Sequence, residues 1–315
     1  MMQPPKPDSR PDKVSLWRYA RLFRQDILSA QPARLYRAWM AEFKTPFFRS
    51  YLINQPELIK TVLKERPDDF PKSDRIGEGL RPLLGRSVFL TNGAVWKRQR
   101  RIIDPAFEGG RLRETFPAMW DAAESMAKRF EHLTDQDVEI EAEVSHAAAD
   151  VIFRTLFSIP IDHHVAREVF DEFKTYQRSQ PILNIAAFIP LPRWIPRLFR
   201  RDTRRSATLI RRLITTLTTQ RMAEINAGTA PLDLATKIMT TVDPVEGKAF
   251  TTEEMVDQVA IFFLAGHETS ASTLAWALYL LATRPDWQDR LADEAQQIET
   301  CDFAVMSKLR LSRDV

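Results

Sequence analysis

Four polar residues in succession, His267, Glu268, Thr269 and Ser270, interrupt an otherwise apolar stretch running from Val259 to Ala282. An unpaired carboxylate is costly to bury. An acid beside an alcohol inside a hydrophobic helix therefore points to proton transfer, which needs a donor close to the reacting atom and connected to water. Just upstream, Ala265 and Gly266 remove side-chain bulk and leave room for something flat or bulky to approach the backbone. A threonine here can donate its hydroxyl to the carbonyl four residues back, that of Ala265, and open or kink the helix locally. Two other readings compete. Glu268 and His267 can face a water-filled seam and satisfy each other or an arginine. "HE" also begins the H-E-x-x-H zinc signature, but position 271 is Ala271 rather than a second histidine, so that reading fails.

The helix that must hold these residues is marked at both ends. Thr251 and Glu254 have capping-box spacing and Pro285 marks the stop. The expected helix, residues 252–283, thus runs about 30 residues or roughly 45 Å. Apolar residues surround it on nearly every face from Val259 to Leu264 and from Leu274 to Leu281, as in a helix central to a core. The polar block between the two runs disfavours a lone membrane span.

A second constellation lies in GAVWKRQRRIIDPAF, which begins at Gly93 and ends at Phe107. Four-residue spacing puts Trp96 and Arg100 on one helical face and Lys97, Arg98 and Arg101 on the other. Taken alone, it reads as a solvated basic helix with one core tryptophan.

The elements around these two stretches are mostly helical. Nine glycines against 20 prolines favour long helices with proline stops over strands with glycine turns. In NQPELIKTVLKERP, Pro56 opens a helix, Leu58, Ile59, Val62 and Leu63 share one face, and Pro67 stops it. Further helices are expected over residues 33–42, 93–103, 111–133, 143–157, 163–179, 203–227, 232–241 and 287–298, and short strands over 47–53 and 138–142. The fold class is mainly α with a small β part. Residues 13–315 form one domain after a proline-rich start, through about Asp12, whose composition is that of a disordered segment. Near the end, KLRLSRDV offers Ser312 as a helix N-cap and then stops.

Composition narrows the function. Lys+Arg 45 against Asp+Glu 42 leaves no chain-wide electrostatic case for nucleic acid. The single cysteine excludes a disulfide framework and any multi-cysteine metal site, and suits a cytoplasmic location. The first residues have proline and charge where a signal peptide has its apolar core, so no secretion is expected.

AGHETS resembles the A/G-G-x-D/E-T-T/S signature in the central helix of the cytochrome P450 family, the heme-thiolate monooxygenases. Ala265, Gly266, Glu268, Thr269 and Ser270 fall on its positions. The Trp96–Arg100 stretch and its D-P-A-F ending resemble the family's W-x-x-x-R segment, and the likeness extends from about Ala33 onward. It implies a P450-like helical fold whose heme lies against Ala265 and Gly266. Glu268 and Thr269 are then the catalytic pair that delivers protons to dioxygen at the heme, so that its O–O bond breaks. It implies too that Trp96 and Arg100 bind a heme propionate, a task suited to arginine. The basic face of Lys97, Arg98 and Arg101 would receive an acidic electron donor, a ferredoxin or flavoprotein. Val88 and Phe89 become candidate residues of a cavity for a hydrophobic small-molecule substrate, although an apolar pair also reads as plain core.

Three features fit less directly. RWIPRLFRRDTRRSATLIRR, which begins at Arg193, carries eight arginines and one acid. It reads as a solvated loop and helix start or, beside Trp194, Ile195, Leu198 and Phe199, as a peripheral membrane contact. The resemblance makes this region the lid over the substrate entrance. Cys301, in IETCDFAVM, lacks the glycines and arginine of the family's cysteine loop and reads as an incidental thiol. The family's E-x-x-R helix, P-x-R-F segment and cysteine loop are not found, so the expectation is an N-terminal part of such an enzyme, inactive alone. The competing expectation is a non-catalytic helical interaction protein without heme.

Overall fold

The computed structural model describes residues 8–44, 49–108, 110–133, 137–179, 201–298 and 302–314. Its helices are α1 (Leu16–Gln25), α2 (Pro56–Lys60), α3 (Asp74–Leu84), α4 (Gly93–Ile103), α5 (Arg111–Glu131), α6 (Ile140–Phe157), α7 (His164–Ser179), α8 (Arg201–Ala227), α9 (Leu234–Thr240), α10 (Thr252–Ala282), α11 (Pro285–Gln296) and α12 (Arg310–Asp314). Among the described residues the β part is one antiparallel pair, β1 (Met40–Lys44) and β2 (Arg49–Ile53), with Met40 opposite Ile53 and Lys44 opposite Arg49.

The long helix organises the rest. α10 packs chiefly on α6 and then on α8, α7 lies on α8, and α5 lies on α6. A single large apolar cluster joins Leu83 of α3, Ile102 of α4, Phe153 of α6, Phe173 of α7, Ile210 of α8 and Phe263 of α10. α10 begins as its sequence dictates: Thr251 Oγ1 accepts from Glu254 N at 3.2 Å and Glu254 Oε2 accepts from Thr251 N at 2.9 Å. Its first half is enclosed on most sides, and beyond that only His267 and Ala271 are buried among the described residues. Met255 through Ile261 and Phe263 are buried, whereas Leu274, Trp276 and Leu280 are exposed among the described residues.

Several expected elements differ. The helix expected over 33–42 is a short 3-10 turn (Ala33–Tyr36) followed by β1. Asn54 Nδ2 holds that turn by donating to Leu35 O and Ala38 O, at 2.7 and 2.8 Å. The strand expected over 138–142 is instead the first turn of α6, because Ile140 lies on the helical face that packs with Val144 and Ala148. Helices α1 and α3 were not expected. The apolar face read in α2 is not buried: Ile59 is exposed, and so is Leu63 beyond it. Ser312 is not an N-cap; it sits inside α12, where its N–H and hydroxyl both donate to Glu294.

Candidate active site on the long helix

On α10, Gln258, Phe262, Ala265, Thr269 and Trp276 are separated by steps of four, three, four and seven residues, which places them along one stripe. At its buried end Gln258 Oε1 accepts from Val88 N at 2.9 Å, and one turn on Phe262 meets Phe107 edge to face at 5.7 Å. Beyond that the stripe opens. Ala265 and Thr269 are exposed, and Thr269 Oγ1 donates to Ala265 O at 2.6 Å. The expected hydroxyl bond is thus present, but α10 stays α-helical throughout, with no opened turn. The stripe brings Ala265 and Thr269 into line with Val88 and the end of the D-P-A-F segment. Phe89 is about half exposed beside Val88.

The acid and the imidazole exchange the roles expected of them. Glu268 is exposed, and the buried polar side chain is His267, 1% exposed. Its ring stacks on Phe263 and meets Phe170 edge-on, each at 5.6 Å, and its Nε2 lies 2.8 Å from Ser145 Oγ on α6. Burial, and then the Lys174 charge, hold the imidazole down to a pKa of about 4. The room expected at Gly266 is also taken. A Cβ there would stand 3.0 Å from Ile152 Cδ1 of α6, so the missing side chain serves helix packing. Ser145 and His267 line, with Glu268 and Glu141, a groove of about 560 Å³ that reaches Trp276, the last residue of the stripe.

The second constellation acquires a residue from elsewhere. Trp96 is half-buried on α4, with the Arg100 guanidinium 5.9 Å from its ring centre and Lys72 Nζ at 5.3 Å. Lys72 Nζ donates to Val88 O and Thr91 O at 2.7 and 2.9 Å. Burial, and then the nearby Arg100 charge, push its pKa down. Among the described residues Lys72 has no carboxylate partner, while the half-exposed Arg100 pairs with Asp104, just past the end of α4, at 2.8 Å. Two like charges beside one indole fit an anionic group that accepts from both and from the indole N–H. Nothing in the spacing of FPKS marks Lys72, because only the fold brings it to Trp96.

The basic face of α4 is not a free surface. Arg98 pairs with Glu254 at 2.7 Å and Glu246 at 3.0 Å, Arg101 with the buried Asp243 at 2.6 Å, and Lys97 with Asp68 at 2.9 Å. These carboxylates neutralise the patch expected to receive an acidic partner and pin α4 to the start of α10. The lid region is described only from Arg201, where it forms α8; Cys301 and residues 193–200 lie outside the described residues.

A family model described as Cytochrome P450 matches residues 40–308. A cytokinin hydroxylase of Arabidopsis thaliana is 28% identical over 249 residues, which cover 78% of this chain and 48% of that protein. Cytochrome P450 monooxygenase FUM15 of Gibberella moniliformis is 28% identical over 291 residues, 85% of this chain and 47% of that one. The chain spans about half the length of the curated relatives it matches. The crystal structure of the cytochrome P450DA heme domain shares the fold with a TM-score of 0.72 at 18% identity, over 97% of this chain and 68% of that one. No helix among the described residues is long and apolar enough to cross a membrane. With the family match running over most of its length and the mainly helical fold shared, the chain belongs to the cytochrome P450 family.

Proposed function

We propose that this chain binds heme and serves a monooxygenase that inserts one atom of O2 into a hydrophobic organic substrate. The observation that carries the reading is the exposed Ala265–Thr269 pair, beside the exposed Glu268 and opposite the buried His267, with Thr269 already bonded to Ala265 O. Bound heme would supply the activation of dioxygen. Trp96, Arg100 and Lys72 would hold its propionates. Ala265 presents a methyl group, small enough for a flat ring to lie against the helix. Thr269 holds a proton at Oγ1 and can turn it from Ala265 O toward a guest, and the water-exposed Glu268 carboxyl replenishes it. Gly266 acts at one remove, by letting α6 approach. Val88, fixed through its N–H by Gln258, and Phe89 offer apolar surface to substrate. The reading carries with it a ferredoxin or flavoprotein electron donor and a cytoplasmic location, the latter supported by the single cysteine.

The test is titration of hemin into the 315-residue chain, followed by absorbance and tryptophan quenching. Saturable binding is expected, weakened about tenfold each by Trp96→Phe, Arg100→Ala and Lys72→Ala, the scale of one charge-assisted hydrogen bond. Binding that never saturates, or that all three variants leave unchanged, overturns the reading and favours an interaction protein without heme.

A further inference from the structure

The apolar pattern of α10 does not say which way the helix is turned. Val259 to Leu264 and Leu274 to Leu281 are apolar on nearly every side, so rotation about the axis changes the buried area little. Yet a slip of one residue would shift the helix about 1.5 Å and swing Thr269 through roughly 100°. Something other than hydrophobicity must fix the azimuth.

At the first end of α10 this is done by Gln258 on Val88 N and by Asp257, which accepts from Arg86 N and Arg211 Nη1, each at 2.7 Å. Those ties lie three turns before Thr269. Nearer to it, two contacts distinguish one rotation from another, and both are with α6. Gly266 admits Ile152, which any side chain turned into that place would displace. His267 meets Ser145 at 2.8 Å between Phe263 and Phe170. Ile152 and Ser145 are seven residues apart and so share a face of α6, and the two contacts together define a line across the helix pair. His267 Nδ1 has no partner, so Ser145 is the one polar group that satisfies the buried ring among the described residues. A rotated helix would leave that imidazole unsatisfied in an apolar wall, at a cost that aliphatic packing does not impose. Buried polar pairs can act in this way, selecting one register rather than adding stability.

We infer that Ser145 and His267, together with the Gly266–Ile152 contact, form a rotational lock on α10 that keeps Ala265 and Thr269 on its open face. They are positioning residues. The inference rests on the proposed function only for the meaning of that face, and its test needs neither heme nor turnover.

In a Cys301→Ser background, a thiol introduced by Thr269→Cys reports the open face and one introduced by Ala271→Cys, at a 5% exposed site, reports the buried face. With a small maleimide the first is expected to react at least tenfold faster than the second. Adding Ser145→Ala or His267→Phe is expected to narrow that ratio at least threefold while circular dichroism and melting temperature stay near the parent's, and Ser145→Thr to restore it. An unchanged ratio in folded Ser145→Ala and His267→Phe proteins overturns the lock. Should either fail to fold, Ser145→Thr and His267→Gln decide between the outcomes. A ratio unaltered by Ser145→Thr and narrowed by His267→Gln supports the lock, and any other pattern overturns it. Failure of the hemin titration with this ratio intact would remove the functional reading alone.

Discussion

Burial leaves the His267 imidazole uncharged down to about pH 4, whereas the unfolded chain protonates it near pH 6.5. Between those values the unfolded state binds more protons, so stability falls as pH falls, by up to about 3 kcal/mol once pH is below the folded value. His146 is also held down, by burial first and the Arg129 charge second, and works in the same direction. Urea unfolding at pH 7 and pH 4.5 should show a loss for the parent that is clearly smaller for His267→Gln; equal losses would mean that His267 does not titrate as its burial requires. Two left-handed glycines give a second contrast. Gly85 has φ +51 and a Cβ there would fall 2.0 Å from Asp257 Oδ1, whereas Gly93, at φ +57, faces open space. Gly93→Ala should cost about 1 kcal/mol, the backbone strain alone, and Gly85→Ala at least about 3 kcal/mol, since Asp257 must also give up its place. The Gly85–Asp257 contact was illegible in the sequence because the two are joined only by the fold. The Thr269–Ala265 bond was legible because both ends lie within one turn. Which of His267 and Glu268 is buried was not, since the near-uniform apolarity of the flanking runs leaves no preferred face.

At the level of elements, α4 was legible to the residue, since Asn92 precedes it and Asp104-Pro105 ends it. Its partners were not, and charge pattern alone did not show the carboxylates that pair with its outer face. Arg101 and the N–H of Glu246 hold the Asp243 carboxyl down to about pKa 2, with Arg101 the larger cause and burial opposing. The unfolded value is 3.8, so this clamp contributes fully above about pH 4 and is lost as pH falls toward 2. Acid titration of Asp243→Asn should therefore lack the part of the parent's unfolding that occurs between those values, while differing from it in stability at pH 7. The turn at residues 33–36 shows the opposite case. Local composition there suits a helix, and the Asn54 amide, 16 to 19 residues away, ends it. A pattern read along the chain has no access to such a partner.

Across the whole molecule, mainly helical architecture and the central place of α10 follow from periodicity and proline stops. The ties between distant segments do not. Arg221 illustrates them: 5% exposed, it donates to Asp233, Thr236 and Phe157 O and so joins α8, α9 and the end of α6. Arg221→Met would strand the buried Asp233 carboxylate and should cost about 3–5 kcal/mol, seen as an earlier denaturation midpoint with unchanged secondary structure. A loss under 1 kcal/mol would mean that Asp233 finds water or another donor. Among the described residues the hydrogen bond of longest reach joins Arg86 N and Asp257, 171 residues apart. During synthesis at about 5–20 residues per second, the segment around Arg86 waits roughly 10–30 s for its partner to emerge, with Leu83 and Leu84 uncovered meanwhile. Nascent chains of this protein should therefore depend on holding chaperones over that interval, and slowing the ribosome between these two segments should lengthen the dependence.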